Sequence, residues 1–289
     1  MVQELRPKFH EWVNPHPKVR FREEIAKLPM NGLFTICEEA KCPNRGECLP
    51  KHRTLSIMVM GRICTRRCPF CSVSTGKPEP LDPWEPQKVS TLAQTLNLKY
   101  LVMTSPNRDE LPDGGASQWV KIISTLRHQN PELKIEILVP DFQGRQEALE
   151  QLLQNPPDVL AHDLQTVPRL YPTIRPGAQY HRSLSIFQWF KPRLTGQRKN
   201  IFLKAGMMVG LGEKHEEVFQ VLEDSKKAGV DFFTIGQYLK PPGSMLEVVE
   251  YLPQEDYERF KNFGQKLGLR VQASPLTRSS YLADQLTQQ

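Results

Sequence analysis

Six apolar runs of strand length punctuate the chain, at residues 55–60, 100–104, 134–139, 158–161, 201–207 and 230–236. Short continuous apolar runs bounded by turn residues predict strands buried on both faces. Between and after them, apolar positions recur every three or four residues, at 88–97, 116–128, 145–154, 181–190, 215–228 and 254–267. That spacing predicts amphipathic helices. Strand and helix thus alternate six times, which implies right-handed crossovers and a parallel sheet with helices outside it. A complete eight-unit barrel takes about 250 residues and two more units than are visible. The expected fold class is therefore α/β, a partial (β/α)6 TIM-type barrel with N-terminal and C-terminal extensions. The expected boundaries are 1–54 for the first extension, 55–267 for the barrel and 268–289 for a C-terminal tail.

Residues 1–36 are broken by Pro7, Pro15, Pro17 and Pro29 and show little periodicity. They predict an extended arm wrapped on the main body, with a short helix near 21–28. Charged residues make up 24% and hydrophobic residues 39%, ordinary for a soluble globular chain. Met1 to Pro17 contains no apolar core followed by a cleavage site, and no apolar run approaches the roughly 20 residues of a membrane span. A cytoplasmic location follows as the expectation, and no membrane partner. Thiols stay reduced there, so clustered cysteines favour metal over disulfides. All six cysteines fall between residues 37 and 71. The net charge is +6, with Arg62, Arg66 and Arg67 in one basic stretch and Lys191, Arg193, Arg198 and Lys199 in another. These are either solvated surface or attraction for an acidic protein partner. No interleaving of aromatic and basic residues accompanies them, which argues against nucleic acid.

Cys64, Cys68 and Cys71 are spaced C-x3-C-x2-C immediately after the first apolar run. A loop at the C-terminal end of a parallel strand is where α/β active sites gather. Three thiolates converging from one loop can hold three corners of a [4Fe–4S] cube and leave the fourth iron open to a ligand. Zinc, the alternative, wants four closed ligands, and this loop has three. A second triplet, Cys37, Cys42 and Cys48, is spaced C-x4-C-x5-C around Pro43, Asn44 and Gly46, which predict a turn. Two triplets one strand apart point to two clusters; the alternative for the second is a lone zinc with His52 as fourth ligand.

The C-x3-C-x2-C loop, with Phe70 just before its last cysteine, resembles the signature of the radical S-adenosylmethionine enzymes. In that family the open iron is chelated by S-adenosylmethionine, and an electron from the cluster releases a 5′-deoxyadenosyl radical. Both triplets together, with Arg278-Ser279-Ser280-Tyr281 near the C-terminus, are similar to the lipoyl synthases. That resemblance implies two [4Fe–4S] clusters. One is held by Cys64, Cys68 and Cys71 and binds S-adenosylmethionine. The other, auxiliary one is held by Cys37, Cys42, Cys48 and Ser280 and surrenders sulfide. Without the resemblance, Ser279 and Ser280 read as a polar tail or helix cap. The implied reaction inserts two sulfurs at C6 and C8 of an octanoyl group on a lysine of a carrier domain. The implied carrier is a 2-oxoacid dehydrogenase E2 domain or the glycine cleavage H protein, and the implied electron donor is ferredoxin or flavodoxin. Contacts to S-adenosylmethionine are expected from Phe70, Thr104, Ser105, Asn107, Glu136, Met207 and Gln237. Phe70 could equally be core packing, and Glu136 a salt-bridged barrel residue, since a carboxylate inside an apolar strand needs a partner.

The chain departs from the family's usual wording at Ser72, Pro106, Asn107, Ala161, Asp163, Gln165 and Leu282. Two other functions compete. One is another radical reaction with an auxiliary cluster, methylthiolation or biotin-synthase-like sulfur insertion. The other is a non-enzymatic metal-binding or electron-transfer module.

Overall fold

The structure, a computed structural model, describes residues 30, 32–39, 42, 44, 48–241, 244–281 and 283–286. The expected arm with its helix near 21–28, and Leu282, lie outside the described residues. The first strand, β1 (Phe34–Thr35), is followed by the short helices α1 (Ile36–Glu39) and α2 (Cys48–His52). Strand β2 (Thr54–Met58) then enters the barrel, and the cysteine loop after it carries a two-stranded ribbon, β3 (Ile63–Cys64) with β4 (Ser74–Thr75). The alternation that follows is α3 (Glu85–Thr95), β5 (Tyr100–Thr104), α4 (Ala116–Gln129), β6 (Lys134–Leu138), α5 (Gln146–Gln154) and β7 (Val159–Ala161). It continues through α6 (Tyr171–Ile174), α7 (Tyr180–Phe190), β8 (Phe202–Val209), α8 (His215–Ala228), β9 (Phe232–Gln237) and α9 (Gln254–Lys266). Strand β10 (Arg270–Ala273) and helix α10 (Ala283–Leu286) complete the chain.

The main sheet runs β1-β2-β5-β6-β7-β8-β9-β10. All its neighbours are parallel except β1, which pairs antiparallel with β2 through Phe34↔Met58 and Thr35↔Ile57. The two edges, β1 and β10, do not pair among the described residues, so the barrel is partial, as expected. Strand β10 is the departure. Residues 270–273, assigned to the tail from sequence, pair in register with β9 from Arg270↔Phe232 to Ala273↔Ile235. With Val271 as its one large aliphatic residue, Arg-Val-Gln-Ala carries no apolar run to announce a strand.

Register sorts the side chains. Ile57, Met103, Ile137, Leu203, Ala205 and Met207 face the helices, in a core with Trp119, Leu152, Phe187 and Val221. The opposite face is concave. There Lys204 Nζ on β8 reaches Glu136 Oε1 and Oε2 on β6 at 3.0 and 3.2 Å, across the intervening β7. Tyr100 donates its hydroxyl to Glu136 Oε2 at 2.8 Å. This buried ion pair, with the phenol as a third member, fills the barrel interior with satisfied polar groups.

The C-terminal segment crosses the gap between the sheet edges. It leaves β10 through Ser274 N, which donates to Ile235 O, and Pro275 O, which accepts from Gln237 N. It ends with Ala283 buried against Tyr100 and Val102, and with Asp284 Oδ2 3.4 Å from His52 Nδ1. The tail therefore lies across the flank that the sheet leaves open.

Candidate active site

The turn that carries the chain from β2 into the Cys64 loop is built from two consecutive left-handed residues, Met60 (φ 63) and Gly61 (φ 84). Left-handed backbone is costly for methionine. Two buried charged groups hold it in place. Glu85 Oε1 accepts from Met60 N at 2.7 Å, and Arg108 donates to Met60 O at 2.6 Å. Glu85 is fixed in turn by Gln118 Nε2 at 3.0 Å, and burial pushes its carboxyl up.

Beyond the turn, Arg66 anchors the loop to the barrel. It donates to Asp109 Oδ2 and Oδ1 at 2.7 and 2.8 Å, and to Asp141 Oδ1 at 2.5 Å. Asp109 follows β5 and Asp141 follows β6, so one guanidinium ties three strand ends together. Burial raises the Asp141 carboxyl, but the Arg66 bond and charge outweigh it and bring it down to about 2. Neither aspartate has a sequence signal that pairs it with Arg66.

Two of the three thiols of this loop are oriented by backbone donors. Cys64 Sγ accepts from Arg66 N at 3.4 Å and Asn107 N at 3.3 Å, and Cys71 Sγ accepts from Val73 N at 3.4 Å. Burial pushes Cys71 up to about 11, with the charges of Cys68 and Cys64 adding to it. Burial also raises Cys68, and the nearby cations Arg175 and Arg66 oppose that. Arg175 is pinned by its bonds to Asp163 O at 2.8 Å and Tyr171 OH at 3.1 Å, close enough to Cys68 for its charge to be felt.

The first triplet is also gathered. Burial raises Cys37 well above a normal thiol, followed by the charges of Cys42 and Cys48. Among the described residues, no three His, Cys, Asp or Glu side chains converge tightly enough for one metal ion. Three thiols within electrostatic reach of one another offer a cube one sulfur per iron, whereas zinc wants a fourth closed ligand. His52 Nδ1 lies 3.4 Å from Asp284 Oδ2. The donor sets therefore fit two iron–sulfur clusters, and metal would displace the protons that burial now favours.

The tail meets this first triplet. Asn44 donates to Leu276 O at 2.7 Å, and Arg278 lies near enough to Cys42 for the two charges to interact. A Cβ on Gly236 would sit 2.1 Å from Thr277 O and 3.0 Å from an Arg278 nitrogen, so only glycine lets the tail lie on β9. Ser280 occupies the half-buried turn that Tyr281 N closes onto Arg278 O. The two cysteine loops touch directly: Ser72, next to Cys71, donates its hydroxyl to Glu39 O at 2.7 Å.

The expected cofactor contacts divide. Phe70 packs against the buried cluster of Ile174, Leu211 and Tyr238 at the barrel mouth. Ser105 has a buried hydroxyl without a protein partner, an acceptor and donor left for something seated in the barrel. Asn107 lies at Cys64 Sγ, its side-chain nitrogen 3.7 Å away. Thr104 spends its hydroxyl on Leu138 O at 3.2 Å. Three other expected residues have partners within the protein. Glu136 is salt-bridged to Lys204 and accepts from Tyr100, as its alternative reading had it. Gln237 holds the strap after β9, donating to Glu250 O and accepting from Leu252 N and Tyr257 OH. Met207 faces the helical layer, and its neighbour Met208 packs against the same Ile174, Leu211 and Tyr238 cluster as Phe70. Counting strand positions from Lys204 would have chosen Met208.

The basic stretch at 191–199 precedes β8 and so lies at the opposite end of the barrel. Lys191 pairs with Asp231 at 2.6 Å and Arg193 stacks on Trp189 at 4.2 Å, which gives them structural work. Of the other stretch, Arg66 is buried and Arg67 exposed. No helix among the described residues is long and apolar enough to cross a membrane.

Comparison with known proteins agrees with this geometry. The sequence model of the Radical SAM superfamily matches residues 58–237. The lipoyl synthase of Haemophilus ducreyi is 49% identical, over 98% of this chain and 85% of its own length. That of Actinobacillus pleuropneumoniae serotype 5b is 46% identical over the same shares. Among solved structures, Streptococcus suis SuiB bound to S-adenosylmethionine aligns with a TM-score of 0.59, covering 78% of this chain and 52% of SuiB. At 12% identity that likeness speaks for the fold alone.

Proposed function

The chain belongs to the lipoyl synthases, within the radical S-adenosylmethionine superfamily, and from that premise we propose a role for each part of its site. The enzyme inserts sulfur into an octanoyl group carried on a protein, with S-adenosylmethionine and [4Fe–4S] clusters as cofactors. Methylthiolation and biotin-synthase-like insertion are not favoured, because the near-full-length relatives are lipoyl synthases. A non-enzymatic module loses its basis on the same ground.

In the proposed assignment Cys64, Cys68 and Cys71 hold the cluster that receives S-adenosylmethionine. Cys37, Cys42, Cys48 and Ser280 hold the auxiliary cluster. When bound, the first centre supplies hydrogen abstraction from carbon and the second supplies sulfide. The protein's own groups prepare this. Backbone N–H groups of Arg66, Asn107 and Val73 donate to the thiolate sulfurs and help carry their charge. Arg175 adds a fixed cation beside Cys68. Ser105 offers its hydroxyl to the cofactor, and Phe70, Met208 and Leu211 form an apolar wall that keeps water from the reacting carbon. The observation that carries the reading is the direct contact of the two cysteine loops through Ser72 and Glu39, with the tail bearing Ser280 laid against the first of them. A substrate carbon between the two centres can then meet both.

The carrier is proposed to be a 2-oxoacid dehydrogenase E2 domain or a glycine cleavage H protein, the electron donor a ferredoxin or flavodoxin, and the compartment the cytoplasm. The test is anaerobic reconstitution with an octanoylated carrier and S-adenosylmethionine, followed by carrier mass. A gain of two sulfurs per octanoyl group is expected. Cofactor cleavage without any sulfurated carrier would refute the reading.

A further inference from the structure

We propose that Asp163 is a positioning residue for the auxiliary centre: by accepting the Ser279 hydroxyl it fixes the turn that presents Ser280 to the Cys37 loop. This deepens the assignment of Ser280 as a ligand and rests on it.

Asp163 follows β7, 116 residues before Ser279, and the Ser279 hydroxyl donates to its Oδ2 at 2.5 Å. The bond joins a hydroxyl of the tail to a buried carboxyl of the barrel. The mount beneath the carboxyl is rigid. Gln165 Nε2 donates to the same Oδ2 at 3.2 Å, and the Gln165 backbone is locked to β8 by Gln165 N to Gly206 O and Met208 N to Gln165 O. Gly206 makes the room: a Cβ there would lie 2.7 Å from Asp163 Oδ1 and 2.4 Å from Thr234 Oγ1. The other oxygen, Oδ1, is buried and takes no protein donor. A buried carboxylate with one oxygen committed to the tail is costly unless that commitment does something.

The tail shows what it does. Its anchors before Ser279 are backbone ones, at Pro275, Leu276 and Thr277, where it crosses β9 and Asn44. Ser279 lies two residues beyond Thr277, after Arg278, and directly precedes Ser280. Serine has one short rotor, so whether its oxygen meets an iron corner is set by the backbone of its own turn. A ligand displaced by half an ångström or more is poorly held. The Ser279–Asp163 bond sets that backbone from the barrel side, while Asn44 sets it from the triplet side.

The experiment compares full-length, reconstituted Ser279→Ala, Asp163→Ala and Ser279→Thr with wild type. Two readouts are taken: the Mössbauer signature of the auxiliary cluster, and the rate at which a chelator removes its iron. Both alanine variants are expected to alter the signature and to release auxiliary iron about 10–100-fold faster, the range for partners that orient a metal ligand. The combined alanine variant should be no worse than either alone, and Ser279→Thr, which keeps the hydroxyl, should stay near wild type. Ser279→Ala should still cleave S-adenosylmethionine in the absence of carrier. Wild-type signature and release rate in Ser279→Ala, or additive effects in the combined variant, overturn the proposal. Ser280→Ala separates the two levels. If it too changes nothing, the ligand assignment fails; if it alone changes the signature, only the role of Asp163 fails.

Discussion

Replacing Arg66 with methionine removes a charge and keeps most of the side-chain volume, which isolates what the guanidinium contributes. In the native protein Asp141 has no exposed side-chain surface and takes Arg66 at 2.5 Å; its remaining partners are Arg182 at 3.3 Å and Gln143 N at 3.0 Å. Its carboxyl lies near 2, against an ordinary 3.8. A depressed carboxyl stabilises the fold fully above its unfolded value, and the contribution is lost as pH falls through its folded value, here between about pH 4 and pH 2. The difference amounts to about 2 kcal/mol. Breaking a buried pair by deleting one partner costs about 3–5 kcal/mol, because the other charge stays buried. Arg66→Met should therefore lower the stability of the cluster-free protein by about 3 kcal/mol near pH 7, within that range. The share of the acid loss that Asp141 causes between pH 4 and pH 2 should also shrink or vanish, since without Arg66 its carboxyl is no longer held below its unfolded value. Urea denaturation from pH 7 down to pH 3 measures both effects. Adding Asp141→Asn should recover more than half of the loss. A single variant that loses less than about 1 kcal/mol, or whose pH profile overlays wild type, would show that the loop is not anchored in this way.

Lys204→Met should cost about 3–5 kcal/mol in a thermal or urea melt, and Glu136→Gln added to it should restore most of that, since the orphaned carboxylate is the source of the cost. Gly236→Ala places a Cβ 2.1 Å from Thr277 O, so the tail must lift; auxiliary iron should fall while S-adenosylmethionine cleavage persists, measured on the same preparation. Glu85→Ala strips the acceptor from Met60 N and should cost about 1–3 kcal/mol. Hydrogen exchange across residues 60–71 should rise there more than in the helices.

The barrel was readable because a parallel strand buried on both faces is a continuous apolar run, and six of them announce themselves. Strand β10 was not, because an edge strand with Val271 as its one large aliphatic residue gains its order from β9 and not from its own composition. The cysteine triplets were readable as spacing. Which strand residues face the barrel was not, as Met207 and Met208 show: adjacent methionines differ only by the register of the pleat. Glu136 was seen to need a partner, but that partner is Lys204, two strands away. Arg66 illustrates the rest. A charged residue inside a cysteine loop reads as surface until the loops after β5 and β6 bring Asp109 and Asp141 to it.

The segment that seals the flank between β10 and β1 is synthesised after every strand of the barrel. Residues 274–281 and 283–284 reach the flank beside the first cysteine triplet only once the barrel strands are already translated. Order of synthesis thus becomes order of assembly. A bulky inorganic cofactor can be delivered sideways into the nascent protein, and the closing stretch then latches behind it.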